Sequence, residues 1–195
     1  MITDYLVSQA ERYEIIKPCD RDLYKVSIST FIFCCLNWMS LLGLGLLHNS
    51  ALLCMAFMVA YLPLRIFGGG MHFSTKKRCY CFSLFIYSVM FAICRFELYN
   101  SVLYRAILFI SFPVIILIAP QEDANKPLTV VERKRNRHIF TLLVCLEVVV
   151  LFVMHHYKAE KLFYFTSFAV LLMFFQLVFG KLRNMFRTKY CNTKN

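Results

Sequence analysis

The sequence is poor in charge, glycine and proline, and these shortages exclude several classes of protein. Only 17% of the 195 residues are charged and 59% are hydrophobic, whereas soluble domains are about 25% charged and about 45–50% apolar. An ordinary water-soluble domain is therefore excluded. The 20 Phe and 11 Tyr exclude a disordered chain. With only 6 Gly and 5 Pro, the chain is not a collagen-like or glycine-rich repeat protein.

The cysteines do not form a recognisable metal or disulfide framework. There are nine, an odd number, and no pair or quartet has the spacing of a zinc site. Six fall within apolar runs, where a cysteine behaves as a small hydrophobic residue; these are Cys34, Cys35, Cys54, Cys81, Cys94 and Cys145. We therefore expect no metal, no cofactor and no disulfide scaffold.

Long apolar runs dominate what is present. A membrane helix needs about 20 apolar residues, and the chain contains six such runs. They cover Ile28–Leu47, Ala51–Phe67, Cys79–Phe96, Ser101–Ala119, Ile139–His155 and Leu162–Gly180. The sequence predicts an all-α, polytopic membrane protein that forms a single membrane domain over residues 1–195, with a bundle of about six transmembrane helices from 28 to 180. The second and fifth runs are the shortest, and either could be re-entrant.

The two ends of the chain are polar. Residues 1–27 have mixed charge, and their apolar residues recur at roughly helical spacing, which predicts an amphipathic helix at the membrane interface that ends at Pro18. This polar start is also unlike a cleavable signal peptide. Residues 181–195 form a basic tail.

The net charge of +11 is distributed unevenly between alternate loops. The segments 1–27, 65–78, 120–138 and 181–195 together hold 18 of the 22 Lys and Arg residues, and the opposite loops hold four. The positive-inside rule then places both termini and the 65–78 segment in the cytoplasm, with the protein in the cell membrane. The basic face suits anionic lipids or an acidic peptide. No basic domain stands apart from the spans, so a nucleic-acid partner is not expected.

Residues 65–79 form the most unusual segment, because three glycines, a histidine and a cysteine follow one another at a membrane edge. Gly68, Gly69 and Gly70 permit positive φ angles and leave amide groups free to face an anion. Cys79 begins the third span, after three basic residues, and both the helix terminus and these charges favour a thiolate. His72 could serve as its base. In a straight helix the two residues would lie about 10.5 Å apart, so a shared role requires the chain between them to fold back.

Other residues offer weaker alternatives. The alternative for Cys79 and His72 is that they are a buried cysteine and a loop histidine without a common role. Cys81 would face away from Cys79 on a helix. Asn37 in the first span is expected to join helices, and Glu147 in the fifth span could pair with Arg95 or Arg105 or line a polar path.

Two motifs resemble those of the AgrB family, the accessory gene regulator B proteins. The first is Arg65, Gly68-Gly69-Gly70, His72 and Cys79, close to the pattern R-x(3)-GG-x-H-x(6)-C. The second is Ala119-Pro120 followed by Asn125-Lys126-Pro127-Leu128, ahead of the basic stretch Glu132-Arg133-Lys134-Arg135. The resemblance covers nearly the whole chain in length and span layout. It departs from the family at Phe73, where a small residue usually follows the histidine.

The resemblance implies a membrane cysteine endopeptidase of Gram-positive quorum sensing. Such an enzyme removes the acidic C-terminal part of an amphipathic, AgrD-like propeptide on the cytoplasmic side and supports cyclisation of the remainder to a thiolactone or lactone. By matching position, Cys79 would be the nucleophile and His72 the base, with Arg65 and Gly70 in support. The family also suggests a homodimer.

The remaining site residues are predicted with less detail. The amides of Gly68–Gly70, or Arg65, could stabilise an oxyanion, and Ser74 is conceivable as a third catalytic residue. Lys126, Arg133, Lys134 and Arg135 would dock the acidic propeptide in addition to orienting the chain. The main alternative is a small transporter or channel subunit for a peptide, without covalent chemistry, although its polar track would consist of little beyond Asn37 and Glu147.

Overall fold

The structure, a computed structural model, describes residues 2–13, 15–70, 75–121 and 129–192. In these residues the chain forms seven α-helices, which confirms the all-α prediction. The helices are α1 (Ile2–Arg12), α2 (Arg21–Leu47), α3 (Ala51–Gly68), α4 (Lys76–Arg95), α5 (Val102–Ile118), α6 (Val130–His156) and α7 (Glu160–Asn192).

Helices α2, α3, α4, α6 and α7 are long and apolar enough to cross a membrane. The apolar helix α5 is slightly shorter, at 17 residues. These six helices correspond in order to the six apolar runs, so the prediction of a polytopic helical membrane protein is confirmed.

Helix α7 is the centre of the bundle. Within its apolar window, 61% of the residues are buried inside the protein, against 11% for α2 and for α4. It packs mainly against α3 and α5, and its Tyr164 and Phe165 are fully buried together with Phe57 of α3. The peripheral helices leave large apolar side chains exposed, such as Phe31 and Phe85, as expected where the surrounding solvent is lipid.

Hydrogen bonds between helices supplement this packing. Tyr164 donates to the carbonyl oxygen of Met90 at 2.6 Å, and the hydroxyls of Tyr104 and Ser167 lie 2.8 Å apart. Asn37 Nδ2 donates to Ser83 Oγ at 3.1 Å and so joins α2 to α4. Asn37 therefore has the helix-joining role predicted from its place in an apolar run.

The N-terminal region differs from the sequence prediction in its bounds. The first helix ends at Arg12 rather than at Pro18, and Pro18 instead opens a short 3-10 turn that leads directly into α2 at Arg21. The first transmembrane helix therefore begins seven residues before Ile28. The added turns are polar because they face α1, against which they pack.

Two ion pairs hold α1 against the start of α2. Arg21 Nη1 lies 2.6 Å from Glu11 Oε2, and Lys25 Nζ lies 2.5 Å from Asp4 Oδ1. The hydrogen bond from Lys25 lowers the pKa of Asp4 to about 2. The amphipathic helix is thus fastened to the bundle as well as being suited to the membrane interface.

The basic segments also differ from prediction, because they continue helices rather than forming loops. Helix α6 begins at Val130, where Thr129 and Glu132 form a reciprocal capping box. It is 27 residues long, so the fifth span is not short, and the short one is α5. Helix α7 likewise extends to Asn192 through most of the predicted tail.

The close packing of Gly68 gives a first prediction. A Cβ atom at this position would lie 2.4 Å from Met173 and 2.5 Å from Phe140. We expect Gly68→Ala to lower the free energy of unfolding by about 1–3 kcal/mol, as overpacked cores do. Unfolding in mixed detergent micelles measures the change. Gly43→Ala is the matched control, because no described atom lies within 4 Å of the added methyl; equal effects of the two substitutions would contradict the packing.

Candidate active site

Cys79 lies in the first turns of α4, at the polar end of that helix. The side chain of Thr75 caps the helix by accepting the Arg78 N–H at 3.4 Å, and the Cys79 N–H bonds to the Thr75 carbonyl at 3.2 Å. Further along the helix, Ser83 Oγ donates to the Cys79 carbonyl at 3.1 Å. The backbone that carries the thiol is therefore fixed by the N-cap and by a side chain that Asn37 also holds.

The Cys79 side chain is half-buried on the wall of a cavity of about 560 Å³. Residues of α2, α3, α4 and α7 line this cavity, and most of them are apolar, including Trp38, Phe57 and Phe82. Helix α4 lines it from Cys79 to Tyr87, a rise of about 12 Å along the helix. Its volume falls within the range of about 300–1,000 Å³ that is usual for ligand pockets.

Cys81 does not share this position. Its side chain is exposed and does not line the cavity, because two residues on a helix turn the side chain by about 200°. The prediction that it faces away from Cys79 is confirmed. A second thiol, that of Cys34 on α2, does line the cavity.

The glycines form the sharp exit of the chain from α3. Gly69 and Gly70 have φ angles of 71° and 114°, which residues with a side chain rarely adopt. Arg65, one turn earlier, donates from Nη1 to the Gly69 carbonyl. A Cβ atom at Gly70 would lie 2.6 Å from the same Nη1. Arg65 therefore packs directly on the glycine backbone, and it also lines the cavity beside Cys79.

Gln121 connects the loop after α5 to this exit. Its backbone forms a bridge with Gly69, and its N–H donates to the Gly68 carbonyl at 2.9 Å. A Cβ atom at Gly69 would lie 2.3 Å from the Gln121 carbonyl oxygen. The approach of the two backbones is thus close enough to require glycine at position 69.

The amide side chains near the site were not identified from the sequence. Gln176 of α7 accepts a hydrogen bond from Tyr61 at 2.9 Å, and Gln121, Gln176 and Asn136 all line the cavity. A glutamine within an apolar run, as at 176, is a usable signal. Nothing in the local sequence of Gln121 indicates that it meets the glycines, because that contact depends on how distant helices pack.

Exposed basic side chains lie on the first turns of two helices, α4 and α6, that contribute to the cavity lining. Lys76, Lys77 and Arg78 are exposed at the start of α4. The stretch Arg133–Arg135 is exposed on the first turns of α6, one residue before Asn136, which lines the cavity. The two basic segments therefore belong to elements that also border the cavity of Cys79.

Three predicted site residues, His72, Ser74 and Lys126, lie outside the described residues. Glu147 lies on the same face of α6 as the buried residues Val144 and Leu151. Its Oε2 atom is buried and has no hydrogen-bond partner among the described residues, and no ion pair with Arg95 or Arg105 is formed there. Glu147 does not line the cavity of Cys79.

The family model of AgrB, described as accessory gene regulator B, matches residues 1–177. The chain belongs to the AgrB family. No curated protein and no solved structure matches the chain. AgrB proteins act in the accessory gene regulator system of quorum sensing, and membership supports a general role in processing an AgrD-type propeptide at the membrane.

The contact between Arg65 and Gly70 gives a second prediction. Gly70→Ala forces a side chain into a positive-φ conformation and displaces the guanidinium, so the free energy of unfolding should fall by about 1–3 kcal/mol. The loss should be smaller in an Arg65→Ala background, because the displaced group is then absent. A double-mutant cycle of unfolding measurements on this AgrB protein tests the contact. Strictly additive losses would show that Arg65 and Gly70 do not interact.

Proposed function

We propose that this AgrB protein is a membrane cysteine endopeptidase that cleaves a quorum-sensing propeptide through a thioester on Cys79. The observation that carries the proposal is the half-buried Cys79 thiol on the wall of a large, mainly apolar cavity. A thiol in this position lies beside a space large enough to hold part of a peptide. Cys81, two residues away, lacks that setting.

In the proposed first step, the Cys79 sulfur attacks the carbonyl carbon at the cleavage site. His72 takes the thiol proton and returns it to the departing amine as the carbon–nitrogen bond breaks. The N-terminal part of the substrate then remains on Cys79 as a thioester. Arg65, which lines the same cavity, and the glycine amides are the candidate donors to the oxyanion.

In the proposed second step, a thiol or hydroxyl of the same substrate attacks the thioester carbon. The bond to Cys79 breaks, the sulfur regains a proton, and a cyclic thiolactone or lactone is released. No ATP enters these two steps, because the acyl group passes from the amide nitrogen to the Cys79 sulfur and then to the acceptor by exchange. Water competes with this acceptor, so the site must exclude water and hold the acceptor close to the carbon.

The cavity is suited to that requirement. Aromatic side chains such as Trp38, Phe57 and Phe82 form much of its lining beside Cys79. We place the retained, acyl part of the substrate in this apolar space. The acidic part that departs would remain among the exposed charges of Lys76, Lys77 and Arg78 and of Arg133–Arg135. Lys126 is proposed to add to this basic surface.

The same charges place the reaction on the cytoplasmic side of the cell membrane under the positive-inside rule. A propeptide made in the cytoplasm would then reach Cys79 without crossing the bilayer. The basic surface also suits the anionic lipids of that leaflet.

A third prediction concerns the nucleophile and its base. Cys79→Ala, Cys79→Ser and His72→Ala should each lower the cleavage rate at least about a thousandfold, because the covalent route is lost. Co-expression with the propeptide, followed by mass measurement of the products, reports cleavage. Each variant should still insert in the membrane, since Cys79 is not in the buried core.

Cys81→Ala is the matched control, because it removes a thiol from the same helix at an exposed position. It should leave cleavage within about twofold of the wild type, as surface substitutions away from a site usually do. Full processing by Cys79→Ala would reject the peptidase. If peptide release then continued as well, the data would instead support a transporter without covalent chemistry.

A further inference from the structure

Gln121 is bound to two separate parts of the protein. Its backbone meets Gly68 and Gly69 at the exit of α3. Its side chain reaches α7: with the amide oriented so that both ends are satisfied, Nε2 donates to the Leu177 carbonyl at 3.2 Å and Oε1 accepts the Lys181 N–H at 2.5 Å. The Lys181 N–H and the Leu177 carbonyl are four residues apart, so they are also the donor and acceptor of one backbone hydrogen bond of α7.

We propose that Gln121 is a positioning residue that fixes the glycine exit of α3 against α7 and thereby holds Gly69, Gly70 and the Arg65 guanidinium in place beside the cavity of Cys79. The inference rests on the proposed function for its catalytic consequence. No direct contact between Gln121 and the reacting atoms is required. Its role is to keep the backbone of Gly69 and Gly70 where the catalytic segment begins.

Gln121 acts on the site through the residues that are connected to the glycine exit. Two residues span at most about 7 Å, so a shift of Gly70 shifts the point from which residue 72 is reached. Arg65 bonds to the Gly69 carbonyl, so the same shift moves the guanidinium. Arg65, Cys79 and Gln121 all border one cavity, and small displacements there are costly to a reaction that depends on orientation.

The hydrogen bonds also explain why an amide is needed. In these two contacts the Leu177 carbonyl accepts and the Lys181 N–H donates, and a glutamine side chain supplies one donor and one acceptor to match them. An ionised glutamate has nearly the same shape but only acceptors, so it would place a negative charge against the Leu177 carbonyl. A protonated glutamate again offers one donor and one acceptor.

The test compares Gln121→Ala and Gln121→Glu with the wild type, using purified full-length protein in lipid nanodiscs and the propeptide. At neutral pH we expect both variants to lower kcat roughly 10- to 100-fold with KM nearly unchanged, because orientation rather than binding is lost. On acidification from about pH 8 to about pH 5.5, the ratio of Gln121→Glu to wild-type activity should rise at least about threefold as the carboxyl group protonates.

The ratio of Gln121→Ala to wild-type activity should stay flat over the same pH range. Dividing by the wild-type rate removes the titration of the catalytic groups themselves. A purely structural loss would lower both variants without recovery in acid, and a direct contact with substrate would raise KM instead of lowering kcat. Either result would overturn the inference.

A second measurement does not depend on catalysis. Hydrogen exchange of the backbone at Gly69 and Gly70 should be faster in both variants at neutral pH, and it should return toward the wild-type rate in acid for Gln121→Glu only. Unchanged exchange in Gln121→Ala rejects the positioning role even if the enzyme is as proposed. Conversely, if Cys79→Ala still cleaves the propeptide, the proposed function is wrong. The hydrogen-exchange result still tests whether Gln121 holds the backbone of Gly69 and Gly70.

Discussion

The close backbone approach at the end of α3 is the constraint on which the site depends. Gly68 packs under Phe140 and Met173, Gly69 lies against the backbone of Gln121, and Gly70 leaves room for the Arg65 guanidinium. Side chains at these positions would separate the elements that border the cavity of Cys79. The glycines are therefore required by packing as well as by backbone conformation, and they join the first half of the bundle to the central helix α7.

A membrane bundle suits acyl transfer for a physical reason. A thioester survives long enough to cyclise only if water is kept from it, and the interior of an apolar bundle is the driest environment that a protein can offer. In the proposed reaction, the thiol at the polar end of α4 would meet this need, because it lies next to a cavity whose lining is mainly apolar. The exposed basic turns at the start of α4 and α6 would provide the complementary surface for an acidic leaving segment.

The helical membrane fold and the order of its spans could be predicted from the sequence, because long apolar runs have few other solutions. Helix bounds were less accurate where polar residues belong to helices: the capping box of Thr129 and Glu132 starts α6 inside the predicted basic loop. The outward position of Cys81 followed from helical geometry, and the helix-joining role of Asn37 from its apolar surroundings. The roles of Gln121, Gln176 and Asn136 could not be predicted, because they arise from contacts between elements far apart in the chain.

The most direct test of the account is to capture the acyl group on Cys79. A propeptide whose acceptor thiol or hydroxyl has been replaced by hydrogen cannot cyclise, so the thioester should accumulate. Mass spectrometry of the digested enzyme should then find the N-terminal part of the substrate attached to Cys79, and neutral hydroxylamine should release it. Cleavage without any adduct on Cys79, or an adduct on another cysteine, would contradict the account.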